Sequence, residues 1–166
     1  MSPVAIIVGA PGAGKTTVGR LLAKKLNVDF RDTDVDIENS AGKSITDVFV
    51  ENGEAEFRAM EIDAIARALE EHDGVVSLGG GAVLSAVTRE RLHGLPVVWL
   101  QVDLSNAANR VGINTARPLL LGNVRGTLKK LMDEREPLYS EVATIVIDTS
   151  DKSPAAIVDE IASQLV

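Results

Sequence analysis

Apolar residues in this chain fall into two patterns that alternate along its length. Between short apolar runs, apolar residues recur three and four positions apart, which is the spacing of an amphipathic helix. Strands that alternate with helices form parallel sheets covered on both faces. The pattern therefore predicts an α/β fold with three layers, α/β/α, around a five-stranded parallel sheet. The predicted strands cover residues 4–8, 28–34, 74–78, 96–102 and 144–148.

The helical stretches have recognisable ends. Lys24 and Lys25 complement the carboxyl end of the first helix, and Ser44 with Asp47 fits an amino-terminal capping box. Pro137 predicts that a helix from residue 124 ends at residue 136, because proline cannot continue the hydrogen-bond ladder. The predicted helices cover residues 17–26, 35–40, 45–50, 55–70, 85–92, 104–110, 124–136, 138–142 and 155–165.

The junction between the first strand and the first helix reads Gly9-Ala-Pro-Gly-Ala-Gly-Lys-Thr16, which fits the phosphate-loop pattern G-x-x-x-x-G-K-[ST]. Glycines let the backbone turn its N–H groups toward phosphate oxygens, and the following helix directs its positive end at them. Lys15 is then placed to reach the β- and γ-phosphates, and the Thr16 hydroxyl to bind Mg²⁺. The alternative is a glycine-rich turn that matches by chance. The flanking strand and helix favour a nucleotide-phosphate site.

Length and composition narrow the range of partners. A chain of 166 residues is expected to form a single domain, 1–166, without a linker. Its net charge of −7 disfavours nucleic acid and anionic membranes, and no signal peptide or membrane span is predicted. The absence of cysteine excludes disulfides, thiolate metal sites and a cysteine nucleophile. We expect a cytoplasmic protein, taken as a monomer, whose small-molecule partners are held by local basic groups.

Two carboxylates follow the second predicted strand. Asp32 and Asp34 lie beyond its carboxyl end, where open parallel sheets bind ligands, and residues two apart on an extended chain face the same way. Asp32 is a candidate to hold Mg²⁺ through water, and Asp34 to bind or activate an acceptor hydroxyl. The alternative is that Thr33 or Asp34 caps the next helix.

Further candidates lie in the centre and the second half of the chain. Arg58 suits a carboxylate-bearing substrate, although surface ion pairs with neighbouring glutamates are the alternative. Arg135 lies in the last turn of a predicted helix, where the helix dipole alone would explain a cation. Three consecutive glycines, Gly79, Gly80 and Gly81, end the third strand, and either contact substrate or γ-phosphate or form a flexible turn.

The segment 112–124 has no clear period and carries Arg117 near its centre. Glycines at both ends and a proline after the arginine predict a mobile lid that excludes water from phosphoryl transfer. Arg117 is then a candidate to neutralise the transferring phosphoryl group. An ordinary surface loop is the alternative.

Taken together, these residues resemble the shikimate kinase family, which has a nucleoside-monophosphate-kinase-like P-loop fold. The similarity runs over nearly the whole chain and is most specific where several short motifs follow one another in order. These are the phosphate loop, Asp32-Thr-Asp34, Phe57-Arg58, Gly79-Gly-Gly81, Arg117-Pro-Leu119, Arg135 and Pro137-Leu-Tyr139.

The resemblance implies ATP-dependent phosphorylation of the 3-hydroxyl of shikimate in aromatic amino-acid (chorismate) biosynthesis. It implies a substrate-binding region near 33–61 and a lid near 112–124. The implied catalytic residues are Lys15, Asp34 and Arg117, and Thr16 and Asp32 would organise Mg²⁺. Shikimate would be held by Asp34, Arg58, Gly79, Gly80, Gly81 and Arg135. ATP would be bound by Gly12, Ala13, Gly14, Lys15, Thr16, Thr17, Arg110, Arg117, Lys152 and Pro154, with Arg110 and Pro154 flanking the adenine.

One position departs from the family pattern. Many relatives have an arginine near the end of the fifth strand that stacks on adenine, and the corresponding residue here is Lys152. Lysine stacks less well than a planar guanidinium, so the adenine contact at this position differs.

Two other functions fit part of the sequence. A different small-molecule kinase of the same fold, such as a gluconate kinase, would share the phosphate loop but not the arrangement of Asp34, Arg58 and Arg135. A nucleotide-binding regulatory module would bind ATP without transferring phosphate, and it would need neither Arg117 nor Asp34. Acceptor-dependent release of ADP distinguishes all three.

Overall fold

Five parallel strands form one sheet in the order β2-β3-β1-β4-β5 in the computed structural model, which describes residues 2–107 and 124–165. The strand pattern predicted from the sequence is confirmed, with shorter strands at several positions. The strands are β1 Ala5–Val8, β2 Phe30–Asp32, β3 Val75–Ser77, β4 Val97–Gln101 and β5 Ile145–Asp148.

The sheet places β1 between β3 and β4. Ile6 pairs with Val76 on one side and Val97 on the other. The chain therefore builds β2 and β3 on one side of β1, and β4 and β5 on the other. In open α/β sheets, ligands bind beyond the carboxyl end of the strand at which the order switches. The phosphate loop follows β1 and so lies at that point.

Helices cover both faces of the sheet, as the three-layer prediction requires. Ala5, Ile7 and Leu100 point to one face and pack with residues of the helices Lys15–Leu26 and Pro154–Gln164. Ile6, Val8 and Val76 point to the other face and pack with residues of the helices Glu54–Glu71 and Val124–Val142. The helices are α1 Lys15–Leu26, α2 Thr33–Ala41, α3 Ile45–Asn52, α4 Glu54–Glu71, α5 Ala86–Leu92, α6 Val124–Val142 and α7 Pro154–Gln164, with a 3₁₀ turn at Ala82–Leu84.

A third, smaller cluster of buried residues lies outside these two layers. Ile37 of α2, Val48 of α3 and Phe57 of α4 pack together, and the Phe49 and Phe57 rings are 4.6 Å apart. Full burial of one such side chain contributes about 1.5–3 kcal/mol. This small core holds α2 and α3 against α4, and thereby fixes Asp34 of α2 relative to Arg58 of α4.

Two sequence predictions at element boundaries were wrong. The second strand ends at Asp32, and Asp32 rather than Thr33 or Asp34 caps α2, because its carboxylate accepts a hydrogen bond from the Asp34 N–H. Helix α6 also continues through Pro137 instead of ending at residue 136. Pro137 and Asp133, whose carbonyl loses its partner, are both exposed, so water can satisfy that carbonyl.

No helix in the two described segments combines the length and the apolar character needed to cross a lipid bilayer. The predicted lid at 112–124, with Arg117, and the predicted adenine contact Arg110 lie outside the described residues except for Val124, which begins α6.

Candidate active site

The phosphate loop has the backbone geometry that its glycines predict. Gly12 and Gly14 have φ angles of 82° and 87°, which residues other than glycine rarely adopt. The Ala13 N–H donates to the Ala10 carbonyl at 3.1 Å and closes the turn. The Lys15 ammonium lies over the loop, 2.9 Å from the Gly9 carbonyl and 3.0 Å from the Ala10 carbonyl. The cation is thereby held above the amides that would receive phosphate.

The amino terminus of α1 is suited to an anion. Its capping residue is Gly14, which has no side chain to occupy the amides of the first turn. Those amides and the helix dipole favour a negative charge at this position. Thr16 and Thr17 are exposed in the same turn, beside the predicted phosphate position.

Thr16 and Asp32 form a pair of oxygen donors next to the phosphate loop. The Thr16 Oγ1 lies 3.5 Å from the Asp32 Oδ2. Burial raises the pKa of Asp32, and the nearby charge of Asp34 raises it further, while Lys15 acts in the opposite direction. A hydroxyl and a carboxylate fit Mg²⁺, which usually takes few protein ligands together with waters and phosphates. In the described part of the chain, no group of three or more carboxylates or imidazoles is arranged to hold a metal.

The three glycines after β3 lie where the acceptor residues converge. A Cβ on Gly79 would lie 2.9 Å from Asp34 Oδ1 and 3.1 Å from Glu61 Oε2. The first distance is too short for a methyl group unless Asp34 shifts, and the second is tight, so glycine at this position lets both carboxylates approach the backbone.

A Cβ added at either of the next two glycines would also meet a close neighbour, but a different one at each position. A Cβ on Gly80 would lie 3.0 Å from Pro11 Cδ in the phosphate loop. A Cβ on Gly81 would lie 2.6 Å from Arg58 Nη2. The glycine segment therefore connects the phosphate loop to Asp34 on one side and Arg58 on the other. We call the set Asp34, Arg58, Gly79, Gly80, Gly81 and Arg135 the acceptor wall.

Arg58 is held by carboxylates of its own helix. Its Nη1 donates to Glu61 Oε1 at 2.9 Å, and its Nη2 lies 3.7 Å from Glu54 Oε1. The buried Nε has no hydrogen-bond acceptor among the described residues. The ion pairs expected for Arg58 are confirmed, while its contact with a substrate carboxylate stays a prediction, which the remaining donor beside the glycine segment allows.

Arg135 brings a second cation to the wall. Arg135 is only 6% exposed, which is unusual for an arginine. Burial lowers the pKa of Arg135, and the positive charge of Arg58 lowers it further, while Tyr139 and the Glu61 carboxylate act in the opposite direction. A buried and a half-buried cation near one carboxylate, which is bonded to Arg58, form a site that favours an additional anionic group.

Sequence reasoning missed two residues of this site. Glu61 is buried and connects Arg58 with the surroundings of Arg135, and Tyr139 donates its hydroxyl to the Gly80 carbonyl. One signal for Glu61 was available, because it occupies the apolar stripe of α4 together with Phe57, Ala64 and Ala68. Tyr139 belongs to the family motif Pro137-Leu-Tyr139, but that motif does not indicate what its hydroxyl binds, and a tyrosine in an apolar stripe is typical of a core residue.

The remaining predicted nucleotide contacts lie at the start of α7. Lys152 Nζ is 3.0 Å from Glu160 Oε2, an ion pair at the surface. Pro154 is the first residue of α7 and is exposed, behind a cap formed by Ser153. The structure thus brings Lys15, Thr16, Asp32 and the acceptor wall together, with Lys152 and Pro154 on a separate element.

The sequence and the fold of this chain are similar to those of known shikimate kinases. The chain matches the family model described as shikimate kinase over residues 11–166. A shikimate kinase from Saccharopolyspora erythraea is 57% identical over 166 residues, covering 99% of this chain and 95% of the relative. A solved structure of shikimate kinase from Acinetobacter baumannii in complex with shikimate is 34% identical, with a TM-score of 0.94 over 99% of this chain and 93% of that one.

A gluconokinase from Sinorhizobium meliloti 1021 is 23% identical, with a TM-score of 0.63 over 97% of this chain and 90% of that one. That likeness is limited to the fold. Because the family model spans most of the sequence and strong identity extends over nearly its full length, the chain belongs to the shikimate kinase family.

Proposed function

We propose that this protein transfers the γ-phosphoryl group of ATP to the 3-hydroxyl of shikimate, as a step of aromatic amino-acid biosynthesis. One observation carries the proposal at the level of residues. A Cβ added at Gly79, Gly80 or Gly81 would meet Asp34, Pro11 of the phosphate loop or Arg58, and this closeness supports a space shared by the proposed phosphate-binding and acceptor-binding groups.

The phosphate loop is proposed to bind the donor. Amides of Gly12, Ala13, Gly14 and the first turn of α1 hold the β- and γ-phosphates, and Thr17 adds a polar contact. Lys15, now on the loop carbonyls, moves to the γ-phosphate and stabilises charge on the transferring group.

Thr16 and Asp32 are proposed to hold Mg²⁺, Asp32 through water. When bound, the ion neutralises phosphate charge. Asp32 also accepts the Asp34 N–H at 2.9 Å, so the same carboxylate fixes the start of α2 and hence the position of Asp34.

Asp34 is proposed to orient the attacking hydroxyl and to accept its proton. Its carboxylate lies against Gly79, at the junction between the phosphate loop and the acceptor wall. Phosphoryl transfer through a loose transition state depends mainly on positioning and charge stabilisation, so orientation is the larger part of this role.

Arg58 and Arg135 are proposed to pair with the shikimate carboxylate. Arginine presents a planar fork that binds carboxylates through two parallel hydrogen bonds. A bound carboxylate would also offset the burial and the nearby Arg58 charge that lower the pKa of Arg135.

The proposal also covers the parts of the chain that complete the site. Arg117 stabilises the transferring phosphoryl group from a lid near 112–124, Arg110 and Pro154 flank the adenine, and Lys152 lies beside it. We take the protein to act as a cytoplasmic monomer without a nucleic-acid or membrane partner. Light scattering across a concentration series tests the monomer, because a dimer would double the measured mass.

The function is tested by ADP release from Mg·ATP with shikimate, with gluconate as the comparison acceptor. We expect strong stimulation by shikimate and none by gluconate. ATP binding without stimulation by either acceptor would refute the kinase assignment and favour the regulatory-module alternative.

A further inference from the structure

Tyr139 connects two parts of the acceptor wall that are far apart in sequence. It lies on α6, four residues after Arg135, and therefore on the same face of the helix. Its hydroxyl donates a hydrogen bond to the Gly80 carbonyl, and the residue is only 1% exposed. The ring is held against Trp99 of β4, with the ring centres 5.7 Å apart.

The Tyr139 oxygen also acts on the Arg135 side chain. Burial lowers the pKa of Arg135, and Tyr139 opposes that shift. A phenol oxygen can accept and donate at once, whereas a guanidinium only donates. The Tyr139 O–H donates to the Gly80 carbonyl, so the lone pairs of the same oxygen remain for the cation that precedes it by one helical turn.

A second positive charge lies near Arg135. Arg135 is buried near Arg58, and the two positive charges repel. The Glu61 carboxylate is already bonded to Arg58 at 2.9 Å. A phenol oxygen on the same helix, fixed by its bond to the Gly80 carbonyl, therefore favours one position for the Arg135 guanidinium.

We propose that Tyr139 is a positioning residue for the acceptor carboxylate. Its hydroxyl fixes the Gly80 carbonyl and presents its oxygen to Arg135 before substrate enters, so less ordering is required when substrate binds. This inference rests on the proposed function, because it assumes that shikimate occupies the acceptor wall.

The test is Tyr139→Phe, which removes the hydroxyl and keeps the ring. We expect KM and calorimetric Kd for shikimate to rise about tenfold, the size of one lost hydrogen bond to a charged group, with KM for ATP changed less than about twofold. The matched control is Trp99→Phe, which reduces the ring packing and keeps the hydroxyl. It should lower the melting temperature and leave the shikimate Kd within about twofold.

Tyr139 is the single tyrosine of the chain, so fluorotyrosine incorporation labels this position alone. The ¹⁹F resonance should shift during a shikimate titration, with a midpoint equal to the calorimetric Kd. An unshifted resonance, an unchanged shikimate Kd in Tyr139→Phe, or equal losses in both variants would overturn the positioning role. Wild-type protein without shikimate-dependent ADP release would instead refute the proposed function.

Discussion

The phosphate loop uses consecutive residues, Gly9 to Thr16, at one strand–helix junction, whereas the acceptor wall takes its residues from α2, α4, the loop after β3 and α6. The loop is stabilised by local contacts, such as Lys15 on the carbonyls of Gly9 and Ala10. The wall depends on contacts across the fold, such as Tyr139 with Gly80. Changes in the wall should therefore separate acceptor binding from nucleotide binding, and the predictions below test that separation.

The largest effect is expected for Asp34→Asn. The amide keeps the size of the side chain but cannot accept the hydroxyl proton, so kcat should fall about 10²–10⁴-fold, the usual contribution of a positioned base. ATP affinity should stay near the wild-type value, because the phosphate loop is unchanged. Rapid-quench turnover and nucleotide titration measure the two quantities, and near wild-type turnover would remove Asp34 from the mechanism.

Arg58→Ala and Arg135→Ala should mainly weaken acceptor binding. Each removes charge-assisted hydrogen bonds to the proposed carboxylate, which corresponds to about a 10- to 100-fold rise in KM for shikimate. KM for ATP should change little.

The control for these arginine variants is Arg67→Ala, which removes an exposed arginine from the same helix as Arg58. Steady-state kinetics with each substrate varied in turn tests the comparison. Unchanged shikimate KM in both variants would contradict the carboxylate assignment.

A smaller effect is expected for Glu61→Gln. The carboxylate is buried and bonds Arg58, whose side chain is 22% exposed, so the loss of unfolding free energy should be about 1–3 kcal/mol, below that for a fully buried pair. Shikimate KM should rise about 3- to 10-fold as Arg58 loses its partner.

Glu54→Gln is the matched control for Glu61→Gln, because Glu54 faces the same arginine at 3.7 Å but is 56% exposed. Urea denaturation and kinetics of both variants test the difference. Equal effects at the two positions would show that burial of Glu61 does not matter.

The contrast between the two regions also explains what could be predicted from sequence. A motif of consecutive residues determines its own backbone conformation, so the phosphate loop and the sheet around it could be predicted from short-range patterns. The boundary errors arose where local signals are ambiguous: any of three successive residues, 32 to 34, can cap a helix and Asp32 does so, and Pro137 continues α6 on an exposed face.

Glu61 and Tyr139 show the other limit. Beyond the local pair of Glu61 with Arg58, their roles depend on partners distant in sequence, Arg135 for Glu61 and Gly80 for Tyr139, and no spacing rule reports such contacts. A carboxylate in the apolar stripe of α4 indicated a buried cationic partner, since burying an unpaired charge is too costly. A buried tyrosine has no comparable cost, so its hydroxyl contact required the structure.

The smallest effect is expected for Lys152→Arg, which tests the nucleotide side alone. A planar guanidinium stacks on an adenine ring better than an ammonium, so KM for ATP should fall about two- to fivefold, while KM for shikimate stays unchanged. Lys152 is paired with Glu160 at 3.0 Å, and an arginine could keep that pair instead of reaching the adenine. The change is therefore made both in the wild type and in a Glu160→Gln background, where residue 152 has lost this partner. A lower ATP KM only in the second background would mean that Glu160 competes with adenine for residue 152, and no change in either would exclude residue 152 from the adenine site.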